Sequence, residues 1–259
     1  MTIFLFDRTL DGLLTAVFDA YARRSFPDML SGEHDPLPLF HDEVHTVVTD
    51  DEKAGRVWKA LQKKLSSEAL TCLTVSYLSE LPELDMHLFR YICKTVDSPQ
   101  SIERNFADED VLFVTNTFRK VRYERLRVMQ FMRFQKAADG TYFGIMEPLY
   151  NVLPLAIDHF RDRFGDQPFL LYDRRRHYGY YHDHREVTRV TLDETLPHFL
   201  TGKLDEALLD ENEKLFQELW RTYFKAVCIR ERLNPRKQRK DMPVRYWKYL
   251  TEKQEKAKE

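Results

Sequence analysis

Hydrophobic and polar positions follow two periods along this chain, and the change between them divides it. Thr2 to Phe6 is apolar and rich in β-formers, which predicts a short buried strand. Asp7-Arg8-Thr9 is a turn with helix-capping chemistry. Leu10, Leu13, Leu14, Val17, Phe18 and Tyr21 then recur at helical spacing on one face. Residues 25–42 contain Pro27, Gly32, Pro36 and Pro38 and read as a loop. Glu43 to Thr49 reads as a second strand. Thr49 with Glu52 fits a capping box before a helix from about Asp51 to Leu65, with Val57, Trp58, Leu61 and Leu65 inward. Ser67 caps a second helix bearing Leu70, Leu73, Tyr77 and Leu78. Pro82 opens a third, with Leu84, Leu88, Tyr91 and Ile92 inward. Three consecutive amphipathic helices predict a helical layer. A polar connection over 97–107 leads to a further helix from Asp108 to about Met129.

From Gln130 the period shortens to two. Gln130–Lys136 and Thr141–Glu147 alternate around Ala138-Asp139-Gly140, which predicts a hairpin. Asn151–Phe164 returns to helical period and stops at Gly165. Pro168–Tyr172 and Tyr178–Tyr181 flank Asp173-Arg174-Arg175-Arg176-His177 as a second hairpin, and Glu186–Thr191 adds a strand. A short helix is expected over 193–200 and a long one from Asp205 to Arg232, ended by Asn234-Pro235. Met242-Pro243 starts a last turn. The expected fold class is α+β: a helical N-terminal layer with a short first strand, an antiparallel sheet of two hairpins with an intervening helix, and a long C-terminal helix. The division falls near 126. It gives a mostly helical part over 1–125, a sheet-bearing part over 126–250 and a tail over 251–259 that frays; one compact domain is the alternative.

Composition adds few constraints. The 259 residues are 43% hydrophobic and 32% charged, enough for a sizeable core. Three separated cysteines, Cys72, Cys93 and Cys228, have no metal or cluster spacing and read as reduced thiols. The N-terminus lacks the basic lead and apolar run of a signal peptide, and no uncharged stretch approaches a membrane span, so a cytoplasmic protein is expected. A net charge of −2 gives no global pull toward polyanions, so any nucleic-acid affinity must come from a patch.

That patch is sought near the C-terminus. Leu219-Trp220-Arg221-Thr222-Tyr223-Phe224 begins amphipathically. Arg230, Arg232, Arg236, Lys237, Arg239, Lys240, Arg245 and Lys248 follow, with only Glu231 and Asp241 nearby. Cations supply phosphate affinity, and the adjacent Tyr246 and Trp247 offer rings on which an unpaired base could stack. The plain alternative is a solvated basic helix with its rings in the core. Arg127 and Arg133, from a second set with Arg119, Lys120, Arg122 and Arg125, would extend the patch. Arg174-Arg175-Arg176 reads either as a phosphate-touching hairpin tip or as a soluble turn. The histidines His177, His182 and His184, and His34, His41 and His45, do not converge as metal ligands at their spacing, so no metal site is assigned. The sequence contains no nucleophile elbow, P-loop or dinucleotide fingerprint.

Several segments together resemble a known family. They are Phe6-Asp7 with Asp11 to Tyr21, Glu124 through Phe134, Asp158-His159-Phe160 with Arg163-Phe164, Leu171-Tyr172-Asp173, and Trp220 to Phe224 with Met242 to Trp247. The chain resembles the bacterial family of probable DNA metabolism proteins, a domain of unknown function. That family is typically encoded beside a radical-SAM protein thought to modify or repair DNA, and a similar domain elsewhere is joined to a uracil-DNA-glycosylase-like domain. Its pattern often carries a histidine two positions after the glutamate matching Glu124; here that position is Leu126. The resemblance implies a setting in DNA metabolism and no assigned reaction.

The expectation is therefore a DNA-binding accessory protein without a cofactor of its own, acting with a radical-SAM partner. Arg127, Arg133, Arg221, Arg232, Arg236, Lys237, Arg239, Lys240, Arg245 and Lys248 would hold phosphates, and Tyr246 and Trp247 would stack. One alternative is an enzyme acting on an extruded base through Glu124, Asp158 or His159. Another is an interaction scaffold without nucleic-acid contact.

Overall fold

The computed structural model describes residues 1–192 and 204–254. The helix expected over 193–200 and the last five residues of the tail lie outside them. The architecture is mixed α+β, in two compact units: Met1–Arg122, and the chain from Tyr123 onward.

The first unit is built on a parallel sheet. Strand β1 (Thr2–Phe6) lies between β2 (Met29–Gly32) and β3 (Glu43–Thr46), parallel to both. The segment read as a loop thus holds a strand. Met29-Leu30-Ser31-Gly32 is too short and mixed to show a period, and its pairing with Ile3–Phe6 makes it a strand. Helix α1 (Leu10–Arg23) is capped by Thr9, whose side chain accepts from the Gly12 amide. Helices α2 (Asp51–Lys64), α3 (Ser67–Tyr77) and α4 (Pro82–Asp97) follow. Their caps sit one residue from the expected positions, on Asp50 rather than Thr49 and on Ser66 rather than Ser67. The inward faces meet in one core with Phe4, Phe6, Leu13, Leu61, Leu73, Leu84 and Leu88 buried. Helix α5 (Glu109–Phe131) closes this unit and continues into the second. Its first turn carries Asp110, fully buried and held by His87, Arg90 and Lys94.

The second unit holds a sheet in the order β4 (Phe134–Lys136), β5 (Tyr142–Met146), β6 (Phe169–Asp173), β7 (Tyr178–His182) and β8 (Val187–Val190). Gly140 turns the first hairpin at φ +89°, a conformation that suits glycine. Both hairpins and the third strand pair antiparallel, but β5 and β6 run parallel. The wholly antiparallel sheet is corrected here. A helix between two strands carries the chain back to the end where it started, and α6 (Leu153–Phe164) does this between β5 and β6. Phe134 packs edge to face against Phe160 and Phe164 of this helix and against Phe169, and Phe164 lies tilted against Phe169.

The C-terminal helix is shorter than the apolar pattern suggests. A single 3-10 turn at Glu206–Leu208 precedes α7 (Glu213–Ala226), another follows at Arg230–Arg232, and α8 (Pro235–Asp241) is separate. Two further 3-10 turns, Val244–Tyr249 and Thr251–Lys253, end the described chain.

Candidate nucleic-acid interface

Glu124 organises the segment expected to present Tyr246 and Arg245. Its carboxylate is buried and accepts from the Tyr246 hydroxyl at 2.5 Å, the Arg245 guanidinium at 2.5 Å and the Leu149 amide at 2.6 Å, with Arg127 at 3.4 Å. With its acceptor positions taken, Glu124 is a structural hub and not an available base. Tyr246 is 0% exposed, so its ring cannot receive a base, contrary to the expectation from sequence. The Tyr-Trp pair alternates inward and outward on a tight 3-10 turn, and burial of the ring with a charge-assisted hydrogen bond fixes the inward choice. Trp247 is half-buried and donates its indole N–H to the Met242 carbonyl.

Half of the cations expected to hold phosphate are paired with acids of the chain itself. Arg245 and Arg127 serve Glu124. Arg133 binds Glu252 at 2.7 Å and the Gln130 and Met132 carbonyls. Lys248 pairs with Glu147 at 2.6 Å, and Lys237 pairs with Asp241 at 2.9 Å, one turn along α8. The arginine tip is likewise tied down. Arg174 reaches Glu147, Arg175 the Leu149 carbonyl, and Arg176 both Asp173 and the Pro148 carbonyl. Arg232, Arg236, Arg239 and Lys240 remain exposed, with no acidic partner among the described residues. Of the candidate acids and bases on α6, Asp158 is exposed and pairs with Arg161 on its own helix.

A different arrangement gathers rings and cations on α7. The helix seats itself through Glu213, which is buried and accepts from the Lys136 amide and from Gln217. Its apolar stripe therefore faces solvent: Phe216 is 62% exposed, Trp220 40% and Tyr223 57%, with Leu215 and Leu219 beside them. Trp220 and Tyr223 lie 5.8 Å apart at 33°. The Trp220 N–H is fastened to Glu252 at 3.0 Å, and the Arg133 guanidinium lies 5.7 Å from its ring centre, so the indole is positioned while part of its surface stays open.

On another face of α7, a groove of about 490 Å³ runs between the helix and the Thr251–Lys253 turn. Arg221, Lys225 and Lys253 line it, with Glu218, Thr222, Glu252 and Gln254. Arg221 is anchored by its Nε to the Gln217 carbonyl, and Lys253 lies 4.7 Å from the Trp247 ring. Glu252 has a side chain only 1% exposed. Burial pushes its pKa up, but hydrogen bonds from Arg133 and Trp220 outweigh this and hold it below the usual value. Its charge is thus spent on Arg133, and the cations dominate the groove. The turn bearing Glu252 and Lys253 was expected to fray; the buried carboxylate holds it instead.

Trp220 and Arg221 stand out in the sequence, but the roles of Lys225, Lys253 and Glu252 do not. The last two lie in a charged segment with no apolar period, and only the fold pairs Glu252 with Arg133, 119 residues away.

The fold and this surface define a mixed α+β protein with an exposed aromatic helix bordered by a basic groove. The chain belongs to the family described as Domain of unknown function (DUF4130), which matches residues 82–252. Comparison with curated proteins and with solved structures gives no match. Among the described residues, no helix is long and apolar enough to cross a membrane.

Proposed function

We propose that this protein binds single-stranded DNA through α7, stacking bases on Trp220 and Tyr223 and holding the backbone with Arg221, Lys225 and Lys253. The observation that carries the reading is that one helix bears both exposed rings and a cation-lined groove, linked where the Trp220 indole bonds Glu252 of the groove wall. Single strands are held by this combination, because every base has a face to stack and every nucleotide a phosphate to pair. Rings on a helix suit unpaired bases, whereas duplex bases offer only their edges in the grooves. Arg232, Arg236, Arg239 and Lys240 extend the positive surface along the chain. The resemblance to probable DNA metabolism proteins supports an accessory role in DNA repair or modification, with the reaction supplied by a radical-SAM partner.

Fluorescence anisotropy with a labelled oligothymidine across a salt series tests this. The triple variant Arg221→Glu, Lys225→Glu, Lys253→Glu should bind at least about tenfold more weakly, and its log K against log salt should flatten by about 2, near 0.7 per lost phosphate contact. Equal affinity and slope for variant and wild type would defeat the reading.

A further inference from the structure

The first unit contains a cavity that the α7 surface does not involve. Arg8, Tyr77, Glu80, Leu81, Pro82 and Asp85 line about 310 Å³. Arg8 lies just past the end of β1, the strand at which the order β2-β1-β3 reverses. Open parallel sheets present their ligand crevices beyond the carboxyl ends of strands at such a point.

Arg8 is fixed and already neutralised. It has a left-handed backbone at φ +55°. Its guanidinium bonds Asp35 at 2.5 Å, and Asp35 also accepts from the Gly32 amide at 2.8 Å. A Cβ on Gly32 would come within 2.7 Å of the Arg8 Nε, so glycine there makes room for the arginine. Two other polar groups of the wall are left available to a ligand. Asp85, half-buried on α4, has no hydrogen bond or ion pair among the described residues, and neither has the Tyr77 hydroxyl at the end of α3.

The chemistry of the wall selects the ligand. Arg8 is already held by Asp35 and the Asp85 carboxylate has no partner among the described residues, which disfavours phosphate and favours a cation or a donor-rich molecule. The two oxygens of one carboxylate match a pair of parallel N–H groups. Tyr77, Leu81 and Pro82 supply apolar surface for a flat frame. We propose that this cavity binds a planar ligand through adjacent N–H donors, either a guanidinium group or the corresponding edge of guanine, with Asp85 as the bidentate acceptor and the Tyr77 hydroxyl as a second contact.

Binding should depend on pH in a defined direction. Burial pushes the pKa of Asp85 up to about 6, with Arg8 opposing and Asp35 reinforcing the shift. The charged and titratable groups facing it are Arg8, Asp35, Tyr77 and Glu80. The Gly32 amide and Arg8 hold Asp35 low, while burial and neighbouring acids push Tyr77 upward, so neither titrates near pH 6. The ligand takes the ionised carboxylate, so affinity should climb by up to about tenfold per pH unit below that value and level off above it.

Calorimetric titration of the full chain with methylguanidinium chloride and, separately, with guanosine tests the proposal. At least one probe should bind with one-to-one stoichiometry near neutral pH and more weakly near pH 5. Asp85→Asn should abolish that binding and Tyr77→Phe should weaken it, with melting temperatures confirming the fold. Binding of methylguanidinium alone would identify a guanidino compound, and of guanosine alone a base. A second readout, the carboxyl carbon resonance of Asp85, should titrate at a lower pH when the probe is saturating. Absence of binding by both probes, or binding unchanged in Asp85→Asn, would overturn the proposal and leave the α7 reading untouched.

Discussion

Glu124 and Glu252 fasten the C-terminal segment at two points, each a buried carboxylate that accepts from a charged donor. Replacing Glu124 with Ala leaves the fully buried Tyr246 hydroxyl without an acceptor and removes the bonds from Arg245 and the Leu149 amide, so urea denaturation should show a loss of about 3–5 kcal/mol. Tyr246→Phe removes one charge-assisted hydrogen bond and keeps the ring, so its loss should be nearer 1.5–3 kcal/mol, roughly half. Equal losses would show that the carboxylate is not the common anchor. Glu252 gives a pH dependence. Its pKa is lowered in the folded state, so the stability it contributes is fully present above its unfolded value near 4.5 and is lost as pH falls through the folded value. Trp220 fluorescence should therefore change on acidification in the wild type. Glu252→Gln should remove that transition while weakening the Thr251–Lys253 turn at neutral pH.

Among the elements, α7 was the most visible and the most misleading. The stretch from Leu219 to Phe224 marks an amphipathic helix, but amphipathicity normally implies a buried apolar face. Here Glu213 and Gln217 seat the helix, and Phe216, Trp220 and Tyr223 face outward. No local pattern reveals this, because the Lys136 amide that binds Glu213 lies on a distant strand. The same limit applies to β2, whose strand state depends on its neighbour, and to the parallel join of β5 and β6. Helices α1 to α4 were legible because their apolar spacing is local and complete. For α7, the double variant Trp220→Ala, Tyr223→Ala should lose roughly 1–3 kcal/mol of binding per stacked base to an oligothymidine, and far less to an abasic strand of equal charge. A comparable loss on both strands would assign these rings to positioning the helix and not to stacking.

Across the whole molecule, cations clustered in the sequence are not clustered in function. Arg127, Arg133, Arg245 and Lys248 bind acids of the second unit, while Arg221, Lys225 and Lys253, spread over two segments, share one groove. Sequence identifies how much positive charge a segment holds, but pairing decides how much of it reaches solvent. The net charge of −2 makes the distinction consequential, because any attraction to a polyanion rests on that local surface. Ultraviolet crosslinking to an oligonucleotide carrying 4-thiothymine, followed by peptide mapping, reads the contact surface most directly. The account predicts crosslinks on Phe216, Trp220 or Tyr223 of α7, suppressed by raised salt. Crosslinks confined to other segments, or none at concentrations that saturate the anisotropy signal, would contradict it.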